Sequence, residues 1–131
     1  NMATLTPTLT LTSSDISSDA LLFSVDDSLS VEAPMVGVST ITATTTGGDS
    51  IILPNVNAAR YVYLKHTGLN SAGSTSGSDK VEVETADGTP IMELKSGEFA
   101  FFPYYAQGSC KLQLEASANT VQVEYAYYTR S

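Results

Sequence analysis

Residues 3–12 read ATLTPTLTLT, and residues 121–125 near the other end of the chain read VQVEY. In both stretches apolar and polar side chains alternate one by one. A period of two places successive side chains on opposite faces of a β-strand. Threonine is β-branched and suits a pleated, half-buried surface. Since no segment shows sustained helical spacing, the sequence predicts an all-β protein.

The overall composition limits the classes of partner. The 131 residues include 42% hydrophobic and 15% charged residues, which is enough for one domain with its own core. The formal net charge is −8 and the six basic residues are scattered, whereas nucleic-acid binding uses clustered Lys and Arg. We expect neither nucleic acid nor a membrane as a partner. The acidity is explained by solubility, with a basic docking surface on a partner as the alternative.

Turn sequences divide the chain into about nine or ten short strands. The strongest turns are Gly47-Gly48-Asp49 and Asp87-Gly88, and Arg60–His66 is expected to be the best central strand, with Val62 and Leu64 on one face. This spacing predicts an antiparallel β-sandwich or a jelly-roll-like barrel. The other predicted strands after the first are Ala20–Val25, Ser28–Ala33, Met35–Thr46, Ile51–Leu53, Lys80–Ala86, Pro90–Lys95, Glu98–Phe102, Lys111–Glu115 and Thr120–Thr129.

Two segments stand apart from the sandwich strands. Pro7 interrupts the first alternating stretch, and proline cannot donate to a central ladder. We therefore interpret residues 1–18 as an extended N-terminal arm or edge strand and residues 19–131 as a single β-sandwich domain. Gly68–Asp79 reads GLNSAGSTSGSD, a composition typical of a flexible linker, so we expect a mobile loop there.

The residue pattern predicts no catalytic site, no metal site and no cofactor. The single histidine, His66, and the single cysteine, Cys110, lack the neighbours that nucleophilic or metal chemistry requires. His66 is interpreted as a structural or surface residue, and Cys110 as a small buried apolar side chain. Glu82 and Glu84 share a strand face, with Glu93 across the hairpin. A carboxylate pair can act in glycoside hydrolysis, but a solvated strand face is the preferred interpretation. A second acidic cluster is formed by Asp15, Asp19, Asp26, Asp27 and Glu32. Solvated turns are the preferred interpretation of this cluster, and calcium binding is the weaker alternative.

Tyrosine is the most informative polar aromatic residue in this chain. It combines apolar area with a hydroxyl group and is favoured at interfaces. Tyr125 and Tyr127 are expected to line the inner face of the last strand. The candidate interface residues are Leu5, Leu9 and Leu11 of the arm together with Tyr104, Tyr105 and Tyr128.

The block Lys95–Pro103, KSGEFAFFP, and the strand Tyr61–Lys65, YVYLK, resemble small structural proteins of tailed bacteriophages, especially those of cyanobacteria and other aquatic bacteria. The likeness covers residues 60–103. It implies a non-enzymatic virion component, with a capsid decoration (cement) protein as the first choice. Such proteins are commonly small, β-rich and acidic; they often bind across neighbouring subunits of the major capsid protein, sometimes as trimers.

Two alternative functions stay open beside the decoration protein. One is a phage tail, fibre or adaptor component. The other is a carbohydrate-binding β-sandwich module. The absence of Trp and an expected shortage of planar exposed aromatic rings argue against this second alternative.

Location and assembly are also expectations. Asn1 before Met2 is interpreted as a residue left from expression, which makes Met2 the expected native start. With no signal peptide pattern, the protein is expected to be made in the cytoplasm. The resemblance to phage proteins implies that this is the cytoplasm of a bacterial host and that the protein resides in the virion. Thr-rich strands have edges that need covering, so we expect a homo-oligomer with closed symmetry. The resemblance to capsid decoration proteins implies a trimer as the first choice.

Overall fold

The computed structural model describes residues 2–33, 37–52, 59–105 and 111–131. These residues form twelve β-strands and no helix, which confirms the all-β prediction with a few more strands than expected. Within this part of the chain, no helix is long and apolar enough to cross a membrane. The strands are β1 (Met2–Leu5), β2 (Thr8–Ser13), β3 (Leu21–Asp26), β4 (Leu29–Glu32), β5 (Ser39–Ala43), β6 (Asp49–Ile52), β7 (Ala59–His66), β8 (Val81–Glu84), β9 (Pro90–Leu94), β10 (Phe99–Tyr105), β11 (Lys111–Ala116) and β12 (Val121–Thr129).

The chain divides into two compact units. Unit 1 comprises Asn1–Pro34 and Arg130–Ser131, and unit 2 comprises Met35–Thr129. The sequence places the end of the arm at residue 18, between β2 and β3. Unit 1 extends further because β3 is the pairing partner of β2, so the arm and the two strands after it belong together.

Unit 1 is a long hairpin built from two consecutive pairs of antiparallel strands. β2 pairs with β3, and β1 pairs with β4. Pro7 lies at the break between the two pairs, where its carbonyl accepts a hydrogen bond of 3.3 Å from the Asp27 N–H. Because proline has no N–H to give to a ladder, it interrupts the strand without leaving a donor unpaired.

Unit 2 is a sandwich of two four-stranded antiparallel sheets with the orders β10-β7-β12-β5 (the first sheet) and β6-β11-β8-β9 (the second sheet). The pairs are nested: β8 with β9, β7 with β10, β6 with β11 and β5 with β12. Unit 2 is thus a long hairpin folded back on itself, and the pairs β7–β12 and β8–β11 arrange its strands into two sheets. This is the strand order of a jelly roll, within the predicted fold class.

The core of unit 2 lies between its two sheets and follows from the period of two. β7 is an interior strand of the first sheet, as predicted, and Val62 and Leu64 are fully buried. Tyr125 and Tyr127 pack against the core, which confirms their predicted position. The buried apolar residues are Ala43, Val62, Leu64, Val121 and Val123 of the first sheet and Ile51, Val81, Val83, Leu94, Leu112, Leu114 and Ala116 of the second.

β10 is longer than predicted. The sequence places a loop from Pro103 onward, but the strand continues to Tyr105, and Pro103 lies opposite Tyr61. β10 is an edge strand of the first sheet, where a residue without an N–H donor is tolerated. The alternation of faces therefore extends through Tyr104 and Tyr105.

The loop between β7 and β8 is held by many hydrogen bonds. The Asn70 Oδ1 atom accepts from the backbone N–H groups of Ala72 and Ser74 at 2.9 and 3.0 Å. From β12, Gln122 donates its backbone N–H to the Leu69 carbonyl (2.8 Å) and its side-chain amide to the Asn70 carbonyl (2.7 Å). The composition predicts a mobile loop, whereas Asn70 orders the loop internally and Gln122 of β12 binds two of its backbone carbonyl groups.

Candidate functional site

His66 is fully buried at the end of β7 and anchors the β7–β8 loop. The Gly68 N–H donates to Nδ1 at 3.0 Å, and Nε2 lies 2.9 Å from the Asp79 carbonyl oxygen. Because a backbone amide only donates, Nδ1 is the acceptor and Nε2 carries the hydrogen that it donates to Asp79. Both ring nitrogens are occupied, and His66 has the structural position that the sequence predicts. Cys110 lies outside the described residues, as does Asn1.

Three carboxylates converge on the second sheet. Glu82 and Glu84 are on β8, and Glu115 of β11 lies opposite Glu82. One oxygen of each lies within 4.8 Å of the others. Glu93 lies opposite Glu82 across the β8–β9 hairpin, as predicted, and its Oε1 atom is 3.8 Å from Lys80 Nζ. The acidic face predicted for β8 and β9 therefore extends over a third strand, β11.

Crowding changes the proton affinity of one member of this group. Burial of Glu84 raises its carboxyl pKa, a hydrogen bond with Glu82 raises it further, and the negative charges of Glu115 and Glu82 add to the effect. The cavity beside Glu82, Glu93 and Glu115 measures only about 60 Å³, far below the ~300 Å³ at which small-molecule sites begin. The group can hold a proton or a cation between its oxygens, but it does not face a cleft of sugar size.

The acidic cluster of Asp15, Asp19, Asp26, Asp27 and Glu32, for which calcium was the weaker alternative, does not assemble into a ligand set in the described part of unit 1. The Glu82, Glu84 and Glu115 group is the only set of three or more such ligands found among the described residues. Asp15 instead accepts a hydrogen bond of 3.0 Å from the Ser13 hydroxyl, and Asp27 accepts one of 2.7 Å from the Ser28 N–H. These acids shape turns, which was the preferred interpretation.

The outer face of the first sheet is aromatic. β10 exposes Phe99, Phe101 and Tyr105 by 60%, 37% and 56%. The rings of Phe101 and Tyr61 stack with centroids 6.2 Å apart, and Tyr128 lies opposite Tyr61 on β12. We call these five residues the aromatic face. The expected shortage of exposed aromatic rings is therefore wrong, because the strand spacing of β10 concentrates them on one side.

The three candidate tyrosines separate between the two faces of the first sheet. Tyr105 and Tyr128 belong to the aromatic face. Tyr104 has the opposite orientation and packs against the core, with its ring edge-on to Phe102 at 6.2 Å. The sequence could not separate Tyr104 from Tyr105 because a loop was expected there, and alternation applies only within a strand.

A hydroxyl–carboxylate pair lies between β7 and β12 on the same sheet. The Tyr63 hydroxyl donates to Glu124 Oε1 at 2.7 Å. Burial, this hydrogen bond and the negative charge of Glu124 raise the pKa of Tyr63 to about 12. The pair ties the two central strands together from outside the core.

One side of the β2–β3 hairpin is apolar and exposed. Leu9 lies opposite Val25, and Leu11 lies opposite Phe23. Together with Leu21 these residues form the apolar hairpin face, each 36–49% exposed. Leu9 and Leu11 are thus brought together as predicted candidates, whereas Leu5 is half-buried on β1. Leu21, Phe23 and Val25 are not among the predicted interface residues, although their own alternation in the sequence was the signal that could have identified them.

The opposite side of the hairpin is mostly polar. There Thr10 lies opposite Ser24, with their hydroxyl oxygens 3.2 Å apart, and Thr12 lies opposite Leu22. Leu22 is the one large apolar residue on this side and is 79% exposed. The two faces therefore differ in composition while they share the same backbone.

Comparison with known proteins does not assign the chain to a family. No protein-family model matches it, and no curated protein matches it. Function must therefore be inferred from the fold and the surfaces of the chain itself.

Proposed function

We propose that this chain is a non-enzymatic structural protein of a phage particle, a decoration (cement) protein that binds the outside of the capsid. The observation that carries the proposal is the apolar hairpin face, whose five large side chains are 36–49% exposed. Exposed apolar patches mark interaction surfaces. A hairpin of two strands is also marginally stable alone in water, so unit 1 gains most when a partner covers it.

Attachment would work through burial and strand pairing. Covering each half-exposed side chain of the apolar hairpin face contributes roughly 1 kcal/mol. Among the described residues β2 and β3 form a sheet of only two strands, which leaves outer edges suited to strand addition. A protein that binds only the assembled shell stabilises that shell by mass action. The resemblance of residues 60–103 to phage structural proteins supports the capsid as the partner.

The charge of unit 1 supports a partner with a basic rim. Its ranges contain five acidic residues and one basic residue, Arg130. Two copies packed through their apolar hairpin faces would bring these acids together, and like charges at an interface are unfavourable. A surface of the major capsid protein with an apolar groove and flanking Lys or Arg would complement unit 1. Binding should then weaken as salt rises.

Within the same proposal, copies of this chain form a trimer through the aromatic face. Exposed Phe99, Tyr105 and their neighbours supply the area that aromatic interface centres use. This surface belongs to unit 2, whereas the apolar hairpin face belongs to unit 1, so the two proposed contacts use different residues. A trimer fits a position where three capsid subunits meet.

The proposal is tested by removing unit 1. The intact chain should co-sediment with capsids of the phage that encodes it, and a variant lacking residues 2–33 should not. Circular dichroism of the truncated variant should still show a folded β-protein, because the core of unit 2 is contained within residues 43–123. If the folded truncated variant binds capsids as well as the intact chain, attachment through unit 1 is wrong.

The location on the particle needs a separate experiment. Mass spectrometry of separated heads and tails should find this chain on heads. Its presence on tails alone would favour the alternative of a tail, fibre or adaptor component.

A further inference from the structure

Unit 2 contains a polar cavity of about 390 Å³ between the β7–β8 loop and the β11–β12 turn. This volume is within the ~300–1,000 Å³ range of small-molecule sites. Its lining consists of five hydroxyl side chains, two carboxamides and two alanines, with the carboxylate of Asp79 as the one charged group. The cavity is thus rich in groups that both donate and accept hydrogen bonds.

Two side chains of this lining have unmet hydrogen-bonding demand. Asp79 Oδ2 and Ser76 Oγ are buried atoms without a hydrogen-bond partner, in residues that are only 6% and 7% exposed. Buried polar groups are nearly always satisfied in native proteins, and an unpaired carboxylate is among the costliest exceptions. A ligand that supplies a donor to Asp79 and a partner to Ser76 would remove this cost.

The wall of the cavity is held in place by the chain itself. Thr120 Oγ1 accepts from the Ser71 N–H at 3.0 Å and donates to the Ser71 hydroxyl at 2.9 Å. His66 holds the Asp79 backbone from the other side at 2.9 Å. Such a wall loses little conformational freedom when a ligand binds, which favours binding by small polar molecules.

The lining excludes several ligand classes. An apolar molecule would leave the hydroxyl groups unpaired, and an anion would face Asp79 with no basic residue in the lining. A calcium ion takes 6–8 oxygen ligands and its affinity rises with the number of charged ligands, whereas this cavity offers one carboxylate in a space far larger than an ion. A sugar carries hydroxyl groups that both donate and accept.

We propose that this cavity binds a neutral monosaccharide, such as the terminal residue of a glycan. In this arrangement Asp79 accepts from sugar hydroxyls, and Ser76 and the neighbouring hydroxyls complete the contacts. The site lies within unit 2 and does not depend on capsid attachment, so it adds a second activity to the proposed function. A particle that carries such a protein would adhere to surfaces rich in glycans.

Ligand-observed NMR on the intact chain tests this site with a defined panel of probes. The neutral probes are D-glucose, D-galactose, D-mannose and N-acetyl-D-glucosamine, the anionic probe is D-glucuronic acid, and the cationic probe is calcium chloride. We expect at least one neutral sugar to bind and D-glucuronic acid to bind at least tenfold more weakly than that sugar. Asp79→Asn should weaken sugar binding at least tenfold, and Ser76→Ala should weaken it severalfold.

The matched control is Asp15→Asn, which removes an exposed carboxylate of unit 1 and should leave sugar binding unchanged. Thermal unfolding of each variant shows whether it is folded, and Asp79→Asn should unfold no earlier than the parent because it replaces the carboxyl group whose Oδ2 atom is buried without a hydrogen-bond partner. The proposal is overturned if no neutral sugar binds, if both cavity variants bind as the parent does, or if D-glucuronic acid is preferred. Stoichiometric calcium binding that Asp79→Asn abolishes, without sugar binding, would also overturn it.

Discussion

Unit 1 and unit 2 are made from the same kind of alternating strand, yet the two units differ in how far their apolar side chains are buried. In unit 2 two sheets cover each other, so residues such as Leu64 and Leu112 are fully buried. In unit 1 each sheet has two strands, and the apolar side of β2 and β3 is exposed. Alternation therefore determines which residues share a face, while a second layer determines whether that face is buried. The exposed apolar hairpin face is therefore the surface for which we propose a binding partner.

The largest expected difference between the units concerns stability. Leu64→Ala should lower the free energy of unfolding by about 2–5 kcal/mol, because it leaves a cavity between the sheets. Leu11→Ala, the same change on the apolar hairpin face, should cost less than about 1 kcal/mol. Urea unfolding of both variants provides the comparison. Equal losses would mean that the hairpin face is covered within the folded chain.

His66→Ala should produce the next largest loss of stability. It removes two hydrogen bonds and a fully buried ring, for an expected loss of roughly 2–4 kcal/mol. Amide hydrogen exchange should then rise in the β7–β8 loop. No metal dependence should accompany the loss, since both ring nitrogens already have partners. Unchanged exchange in the loop would show that His66 does not anchor it.

Neighbouring tyrosines of β10 allow the two faces of one strand to be compared. Tyr104→Ala should cost about 2–4 kcal/mol, because the ring packs against the core. Tyr105→Ala should change stability by no more than about 0.5 kcal/mol. In light scattering, Tyr105→Ala and Tyr128→Ala should shift the proposed trimer towards smaller species. If the parent chain is monomeric at high concentration, the proposed trimer is wrong.

Glu84 should produce the smallest effect, seen as a dependence of stability on pH. Its pKa is raised in the folded protein, so the folded state binds this proton more tightly than the unfolded state. The free energy of unfolding must then fall as pH rises from the unfolded pKa of about 4.5 through the raised value.

Glu84→Gln should remove this part of the pH dependence and should be more stable than the parent at neutral pH. The control Glu93→Gln removes an exposed carboxylate of the same sheet and should keep the decline. Parallel pH curves for the parent and Glu84→Gln, followed by thermal unfolding, would argue against the crowding of Glu82, Glu84 and Glu115.

Much of unit 2 could be predicted from local spacing. Val62, Leu64, Tyr125 and Tyr127 were assigned to the correct face because β7 and β12 alternate regularly. The sequence predicts a strand that ends at Phe102 and a loop from Pro103, since it does not say that β10 lies at a sheet edge. That one error placed Tyr104 with the interface candidates.

Other features depend on contacts that local sequence does not encode. The Gly- and Ser-rich composition of residues 68–79 predicts mobility, but Gln122 and Thr120 hold this loop from about fifty positions away in the chain. The cavity at Asp79 and Ser76 has the same origin, because its lining joins residues near 45, 75 and 119. Likewise, Phe23 could be recognised as a neighbour of Leu11 only after the pairing of β2 with β3 was known.

The central claim is that the apolar hairpin face attaches this protein to a capsid, and the adjacent residues Phe23 and Leu22 test it most directly. They lie on opposite sides of β3, so Phe23→Ser and Leu22→Ser make similar changes on the two faces of one strand. Co-sedimentation with capsids should fall at least tenfold for Phe23→Ser and stay near the parent level for Leu22→Ser, with both variants folded by circular dichroism. Equal binding by the two variants, or a loss confined to Leu22→Ser, would contradict the claim.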